Sequence, residues 1–252
     1  MPLFGVPRDT GEYPVIPAEY LLNIEDTRRA ASGNYNRGSW QFETATYACI
    51  EYGWEEPVDD KAANMYRTYF DAEMVSTEIA TDVLLRGHEK RVADTLFNTS
   101  NAIGNAAVTT EWSTITATPK ADVNSGIQAM RAASGIMPNA LVMSRKVFEN
   151  VLVTTELKDY LQYTTPHLVE GEEAQRATLA RYFGVERVLV GGAVQNTAKE
   201  GQAFAAGDLW DDEYVSLCRL SGGGNNLREP VFGRTFLWEE DAPDVIVTET
   251  YR

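Results

Sequence analysis

Residues 60–98 read DKAANMYRTYFDAEMVSTEIATDVLLRGHEKRVADTLFN, and this run decides how the rest of the chain is understood. No proline interrupts it. Pro57, followed by Asp59 and Asp60, supplies a helix start with acid at the positive end of the helix dipole. Met65, Tyr69, Ala72, Val75, Ile79, Val83, Val92 and Leu96 recur mostly at helical steps, which predicts one buried stripe along a single long helix. Roughly 39 residues at about 1.5 Å each would make a rod of about 58 Å. A compact globule of 252 residues has a radius of gyration of about 18 Å and a diameter of about 46 Å. The helix would outrun its own globule. It therefore reads as a spine for an elongated subunit that finishes its packing against copies of itself. Gly87 is the one weak link, since glycine costs about 1 kcal/mol inside a helix.

Upstream of the spine the period changes to two. From Ser39 to Glu51, Trp40, Phe42, Thr44, Thr46, Ala48 and Ile50 share one face and alternate with the residues of the other, which predicts a long strand. Residues 20–27 are its expected partner, joined through the turn-forming ASGNYNRG of residues 31–38. A two-stranded ribbon is marginal alone in water. It either folds back on its own domain or reaches a neighbouring subunit as a flap. Arg28, Arg29 and Arg37 crowd its tip, and no lysine precedes Lys61. Arginine pairs carboxylates through two parallel hydrogen bonds, which suits an interface. Arg28, Arg29 and Arg37, with Trp40 and Phe42 behind them, are the candidate inter-subunit contact, expected to dock on an acidic patch of the next copy. Residues 1–12, with Pro2, Gly5, Pro7 and Gly11, are expected to be an extended arm without structure of their own.

Downstream the pattern is mixed α and β. Thr109 to Thr118 predicts a strand centred on Trp112 and Ile115. Pro119-Lys120-Ala121-Asp122 opens a helix with Asp122 as its expected cap and Gly135 as its stop. Ala140 to Met143 is a short buried strand, and Ser144 caps a helix carrying Val147, Phe148, Val151 and Leu152. Further helix is expected over 157–163 and over 174–183, the latter closed by Gly184. Strands are expected over 187–190, 214–220, 231–238 and 245–250.

The net charge of −15 argues against a nucleic-acid-gripping face, because phosphate binding needs clustered Lys and Arg. Cys49 and Cys218 are too few for a disulfide framework or a thiolate metal site. No signal peptide or membrane span is readable, which points to a cytoplasm and leaves the Asn98-Thr99-Ser100 acceptor without meaning. His88-Glu89 begins like a zinc-protease helix but lacks the second histidine four residues on. His167 has no nucleophile of recognisable context. The glycines at 222–224 lead into no helix, so they read as a hairpin turn and not as a phosphate cradle. Asp208, Asp211, Asp212 and Glu213 do not fit the twelve-residue calcium loop and read as an acidic bend. No catalytic site, cofactor or metal site emerges.

The order of these parts resembles the major capsid proteins of tailed bacteriophages, the Hong Kong 97 fold. The likeness is carried by the tipped flap and by Pro57-Val58-Asp59-Asp60 opening the spine. Trp112 ahead of Pro119-Lys120-Ala121-Asp122-Val123, and Met137-Pro138-Asn139-Ala140-Leu141-Val142-Met143-Ser144 with Val147-Phe148, extend it. Residues 180–193 (ARYFGVERVLVGGA) and 232–238 (FGRTFLW) look like the later strands. The resemblance implies an α+β fold with an amino-terminal arm over 1–12, an extended loop over 13–56 and a peripheral domain with the spine helix over 57–120. It further implies an axial domain over 121–230 and return strands over 231–252.

In function it implies a shell subunit without catalysis, forming pentamers and hexamers of an icosahedral head around double-stranded DNA held without sequence-specific contacts. The expected partners are scaffolding, portal and decoration proteins, with no membrane, and the expected location is the virion, assembled in the host cytoplasm. Some family members cross-link a loop lysine to a neighbour's asparagine; this flap has no lysine, so that chemistry has no donor here. Scaffolding is expected to be separate or already removed, and the carboxyl end trimmed or differently finished. Two alternatives stay open: an encapsulin-like nanocompartment shell of the same fold, and, from another class, a soluble acidic enzyme with an unrecognised site.

Overall fold

The computed structural model describes residues 1–29, 31, 33–39, 41–164, 171–222, 227–240 and 246–248. The architecture is α+β, helices with several small sheets in place of one large one. The amino end is not a free arm. β1 (Leu3–Val6) runs parallel to β9 (Thr235–Trp238), with Leu3 opposite Thr235 and Val6 opposite Trp238. β2 (Thr10–Val15) pairs antiparallel with β3 (Glu43–Ala48), not residues 20–27. Those residues instead hold most of α1 (Ala18–Leu22). Both corrections have one cause: alternation assigns residues to faces but says nothing about which distant strand supplies the partner. The base of this ribbon rests on its own chain. Tyr47 stacks on Phe236 of β9 at 4.9 Å, and Tyr13 leans on the same ring at 5.2 Å. Leu22 lies over Gly135, its Cδ1 2.4 Å from where a Cβ would stand.

The spine is two helices, α2 (Asp60–Tyr66) and α3 (Ala72–Leu96). The break falls not at Gly87, which α3 passes straight through, but at residues 67–71. There the Asp71 carboxylate accepts from the backbone N–H groups of Glu73 at 3.0 Å and Met74 at 3.4 Å. The Tyr69 and Phe70 N–H groups meanwhile close back on the Tyr66 carbonyl at 2.8 and 3.0 Å. A short polar side chain that bonds local backbone starts a new helix more readily than it continues an old one. With 25 residues α3 is about 38 Å long. The expected stripe is not buried within this chain: Tyr69 is 83% exposed, and of α3 only Ala93 and Leu96 are buried. Among the described residues nothing covers its first turns deeply enough to bury a residue.

The segment expected as a strand from Thr109 to Thr118 is a pair of turns, closed by Thr114 N–H on the Glu111 carbonyl (2.9 Å) and Ala117 N–H on the Thr114 carbonyl (3.0 Å). Only Trp112 and Ala117 of it are buried, while Ile115 and most of its threonines are exposed. Trp112 stacks on Phe183 at 6.2 Å, and its indole N–H donates to the Asp122 carboxylate at 2.9 Å. Asp122 is thereby engaged away from the helix end, and Thr118 holds the cap position of α4 (Pro119–Ser134). Gly135 ends α4 in the left-handed region at φ 68°.

β4 (Ala140–Ser144), buried throughout, is the hub. It lies between β5 (Arg187–Gly191), parallel to it, and β8 (Val215–Cys218), antiparallel. Leu141 and Met143 face a core with Phe148, Val151, Leu157, Leu179 and Phe183. Ala140 and Val142 face a second one with Ala93, Leu96, Leu209, Trp210 and Cys218. A strand covered on both faces reads as an unbroken apolar run. α5 (Arg145–Val153) starts at Ser144, whose Oγ accepts from the Val147 N–H at 3.3 Å. α6 (Thr155–Thr164) and α7 (Glu172–Phe183) complete the first core, and Gly184 closes α7 at φ 73°. β6 (Val194–Asn196) and β7 (Ala206–Asp208) form a small antiparallel pair. Of the strand expected over 245–250 only 246–248 are described, and they are not in a strand.

Candidate assembly interface

From this architecture the burial pattern follows. Between Val6 and Ala93 no described residue is buried. Tyr20, Leu21, Leu22, Ile24, Phe42, Tyr52, Trp54, Met65, Phe70 and Met74 are all exposed, Ile24 completely at 100%. Scattered apolar residues at a surface need no explanation, but so many of them across an amino-terminal third without one described residue buried past Val6 do. The whole chain exposes 18371 Å². A compact folded monomer of 28.0 kDa exposes about 11,000 Å². The excess of about 7,000 Å² compares with about 800 Å² per partner in a standard protein–protein interface. The surface left open is enough for several interfaces.

The loop tip is held by its own polar groups. The Arg28 N–H donates to Asp26 Oδ1 at 2.9 Å, and Asn36 Nδ2 donates to the Asp26 carbonyl at 2.7 Å, tying the two limbs together. The Arg29 guanidinium lies 4.3 Å over the Tyr35 ring, and its Nε donates to the Gly33 carbonyl at 2.7 Å. Arg28, Arg29 and Arg37 therefore share one end of the loop, all exposed. Among the described residues no carboxylate lies within ion-pair distance of Arg28 or Arg37. Phe42 is exposed further down the limb, and Trp40 lies outside the described residues.

Sequence reasoning missed the joint that carries the spine. Trp210, nearly buried, donates its indole N–H to Glu89 Oε1 of α3 at 2.6 Å and meets Phe97 edge-on at 5.6 Å. It packs on Gly191 of β5, where a Cβ would stand 2.3 Å from the indole. The Gly191-Gly192 pair at the end of a strand was the available signal, since glycine inside a strand often marks close approach of another group. The acidic bend around it is partly neutralised. Lys146 pairs with Asp212 and draws its carboxyl below the usual range, while Lys90 beside the bend pairs within α3 with Asp94 at 2.5 Å. An open depression of about 390 Å³ lies here, lined by Lys90, Gln195, Asp208, Leu209, Trp210, Asp211 and Asp212. Its titratable lining is one lysine and three aspartates, with no histidine, serine or cysteine among the residues that line it.

The other candidates stay dispersed. His88 is half-buried on α3, its pKa lowered by burial and then by Arg91. His167 and residues 223–226 lie outside the described residues. Ser221 Oγ and the Gly222 N–H both donate to Glu229, at 2.7 and 3.3 Å, closing the bend that begins the glycine run. Cys49 and Cys218 are free thiols, and burial pushes Cys218 up to about 11. Among the described residues no three His, Cys, Asp or Glu converge as metal ligands, and no helix is long and apolar enough to cross a membrane.

No family model matches the chain. It is 24% identical over 243 residues to the major capsid protein of Burkholderia phage BcepMu, across 93% of this chain and 75% of that one. Among solved structures it superposes with a TM-score of 0.64 on a phage-related protein of Bordetella bronchiseptica RB50. That match is 20% identical and covers 94% of this chain and 76% of the other. The fold is shared with a phage-related protein, and the resemblance to phage major capsid proteins read from the sequence is met by a relative that is one.

Proposed function

We propose that this chain is the major capsid subunit of a tailed bacteriophage, assembling into an icosahedral shell of pentamers and hexamers around double-stranded DNA. The observation that carries the reading is the amino-terminal third, in which no described residue between Val6 and Ala93 is buried. A chain that leaves this much apolar surface open is completed by others like it. The capsid relative gives that inference its identity. Residues 13–56 act as the extended loop, 57–120 as the peripheral domain with its spine, and 121–230 as the axial domain built on β4. Loop and neighbour meet heterologously, the geometry that closes into rings and shells. With net charge −15 the lining holds DNA without gripping it, and no reaction is catalysed. Scaffolding, portal and decoration proteins are its further partners, the virion its destination, and the host cytoplasm its place of assembly.

Electron microscopy of the purified chain tests this directly. Closed particles of uniform diameter are the expected result, whereas a monodisperse monomer or dimer at every concentration overturns it. Particles found only with protein cargo would point to a nanocompartment instead. The loop tip is tested in the same assay: Arg28→Glu with Arg29→Glu is expected to abolish particles, and unchanged assembly removes the tip from the interface.

A further inference from the structure

Residues eleven apart on a helix lie about three turns on and near the same side. Met74, Leu85 and Leu96 are so spaced along α3, yet Leu96 is 7% exposed while Met74 and Leu85 are 63% and 48% exposed. One apolar row is covered at its carboxyl end by the core of Ala140, Val142, Leu209 and Trp210, and bare over the rest. The bare part has little to hold it as helix. Isolated helices of this length are marginal in water, and Val75, Thr77, Ile79, Thr81, Val83 and Gly87 are weak helix formers. α2 ahead of it is seven residues without a buried one.

We propose, building on the shell reading, that α2 and the first four turns of α3 form a conditional helix, ordered only when a second copy covers the face of Met74 and Leu85. The second copy is the occupant because the exposed area exceeds that of a compact monomer by several standard interfaces, about 800 Å² per partner each. Charge complementarity points the same way: Asp60, Asp71, Glu73, Glu78 and Asp82 outnumber Lys61, Arg67 and Arg86 along this segment, and the described tip of the loop carries three arginines and no acid beyond Asp26 until Glu43. The ordering cost is met at the moment of contact, which weakens single encounters and favours closure only when several contacts form together.

Amide hydrogen exchange read by mass spectrometry, on the full chain dispersed below its assembly concentration and again as particles, tests this. In the dispersed chain, amides of 74–85 are expected to exchange like a free peptide, while those of Ala140–Ser144 are strongly protected. In particles the 74–85 amides slow by about a hundredfold or more. Protection of 74–85 in the dispersed chain comparable with that of β4 overturns the proposal, and so does fast exchange in both states. Leu85→Lys, at an exposed position, is expected to leave dispersed exchange unchanged and to stop assembly; normal particles from it also overturn the proposal. If the native chain forms no particles at all, the shell reading itself fails, and microscopy shows that separately.

Discussion

At the scale of single residues, two glycines and one arginine set the terms around the β4 sheet. Gly135 and Gly184 end α4 and α7 in the left-handed region. Gly184 meets nothing within 4 Å, so a methyl group there tests backbone conformation alone. Gly184→Ala is expected to cost about 1–2 kcal/mol, read as a lower urea midpoint at unchanged slope. Arg145 acts across elements. It donates to Glu149 on its own helix at 2.8 Å and to Glu172 at the start of α7 at 2.5 Å. The Arg145 hydrogen bond, followed by Arg176, holds the Glu172 carboxyl below its ordinary range. A carboxyl that gives up its proton more easily when folded stabilises the fold above the ordinary carboxylate pKa. That contribution is lost as pH falls through the lowered value. The stability difference between the native chain and Arg145→Gln is therefore expected to be greatest near neutrality and to vanish in acid. Urea titrations from pH 7 down to pH 3 would show it, and a difference constant across that range would exclude the pairing.

At the scale of elements, the sequence was legible wherever the deciding chemistry is local. Ser144 ahead of a helical pattern and glycine after Ser134 and Phe183 each mark an end through local chemistry, and each of these ends lies where expected, whereas α4 opens at Pro119 with Thr118 and not Asp122 as its cap. The strand at Ala140 was equally plain, because burial on both faces removes polar residues from it. What could not be read was pairing between distant segments: β1 with β9 across nearly the whole chain, and β2 with β3 past a nearer candidate. The Thr109–Thr118 segment misled because its β-favouring residues found no partner strand: Trp112 alone of them is buried, against Asp122 of α4 and Phe183, while Ile115 and most of the threonines stay exposed. The spine was read as continuous because Asp71, a capping residue, sits inside an unbroken apolar period. At the candidate interface the arginines were visible in the sequence, whereas the Trp210 joint was not, since Glu89 and Gly191 meet it only in the fold. Asp71 also separates the two stabilities of this chain. Removing a cap costs about 1 kcal/mol of helix. If α3 starts only on contact, Asp71→Ala leaves the dispersed chain's urea midpoint unchanged and raises the concentration needed for assembly about fivefold.

At the scale of the whole molecule, two electrostatic effects oppose each other. Every copy carries −15, so copies repel as bodies, while the arginine tip attracts acid locally. Salt weakens both, but not over the same range. The screening length is about 30 Å at 0.01 M and about 10 Å at 0.1 M. Repulsion summed over a subunit acts across tens of ångströms and is largely removed in that interval, whereas a guanidinium against a carboxylate is screened much less at contact. Burial of the apolar row depends little on salt of either concentration. Repulsion is thus the term that salt removes first. The critical concentration for particle formation, followed by light scattering, is expected to fall as salt rises from 0.01 to 0.1 M. In the Arg28→Glu, Arg29→Glu double variant no particles should form at either, because two attractions have become two repulsions at contact distance. A critical concentration that instead rises steadily from the lowest salt would mean that arginine–carboxylate pairing dominates assembly and that the bare spine contributes little to it.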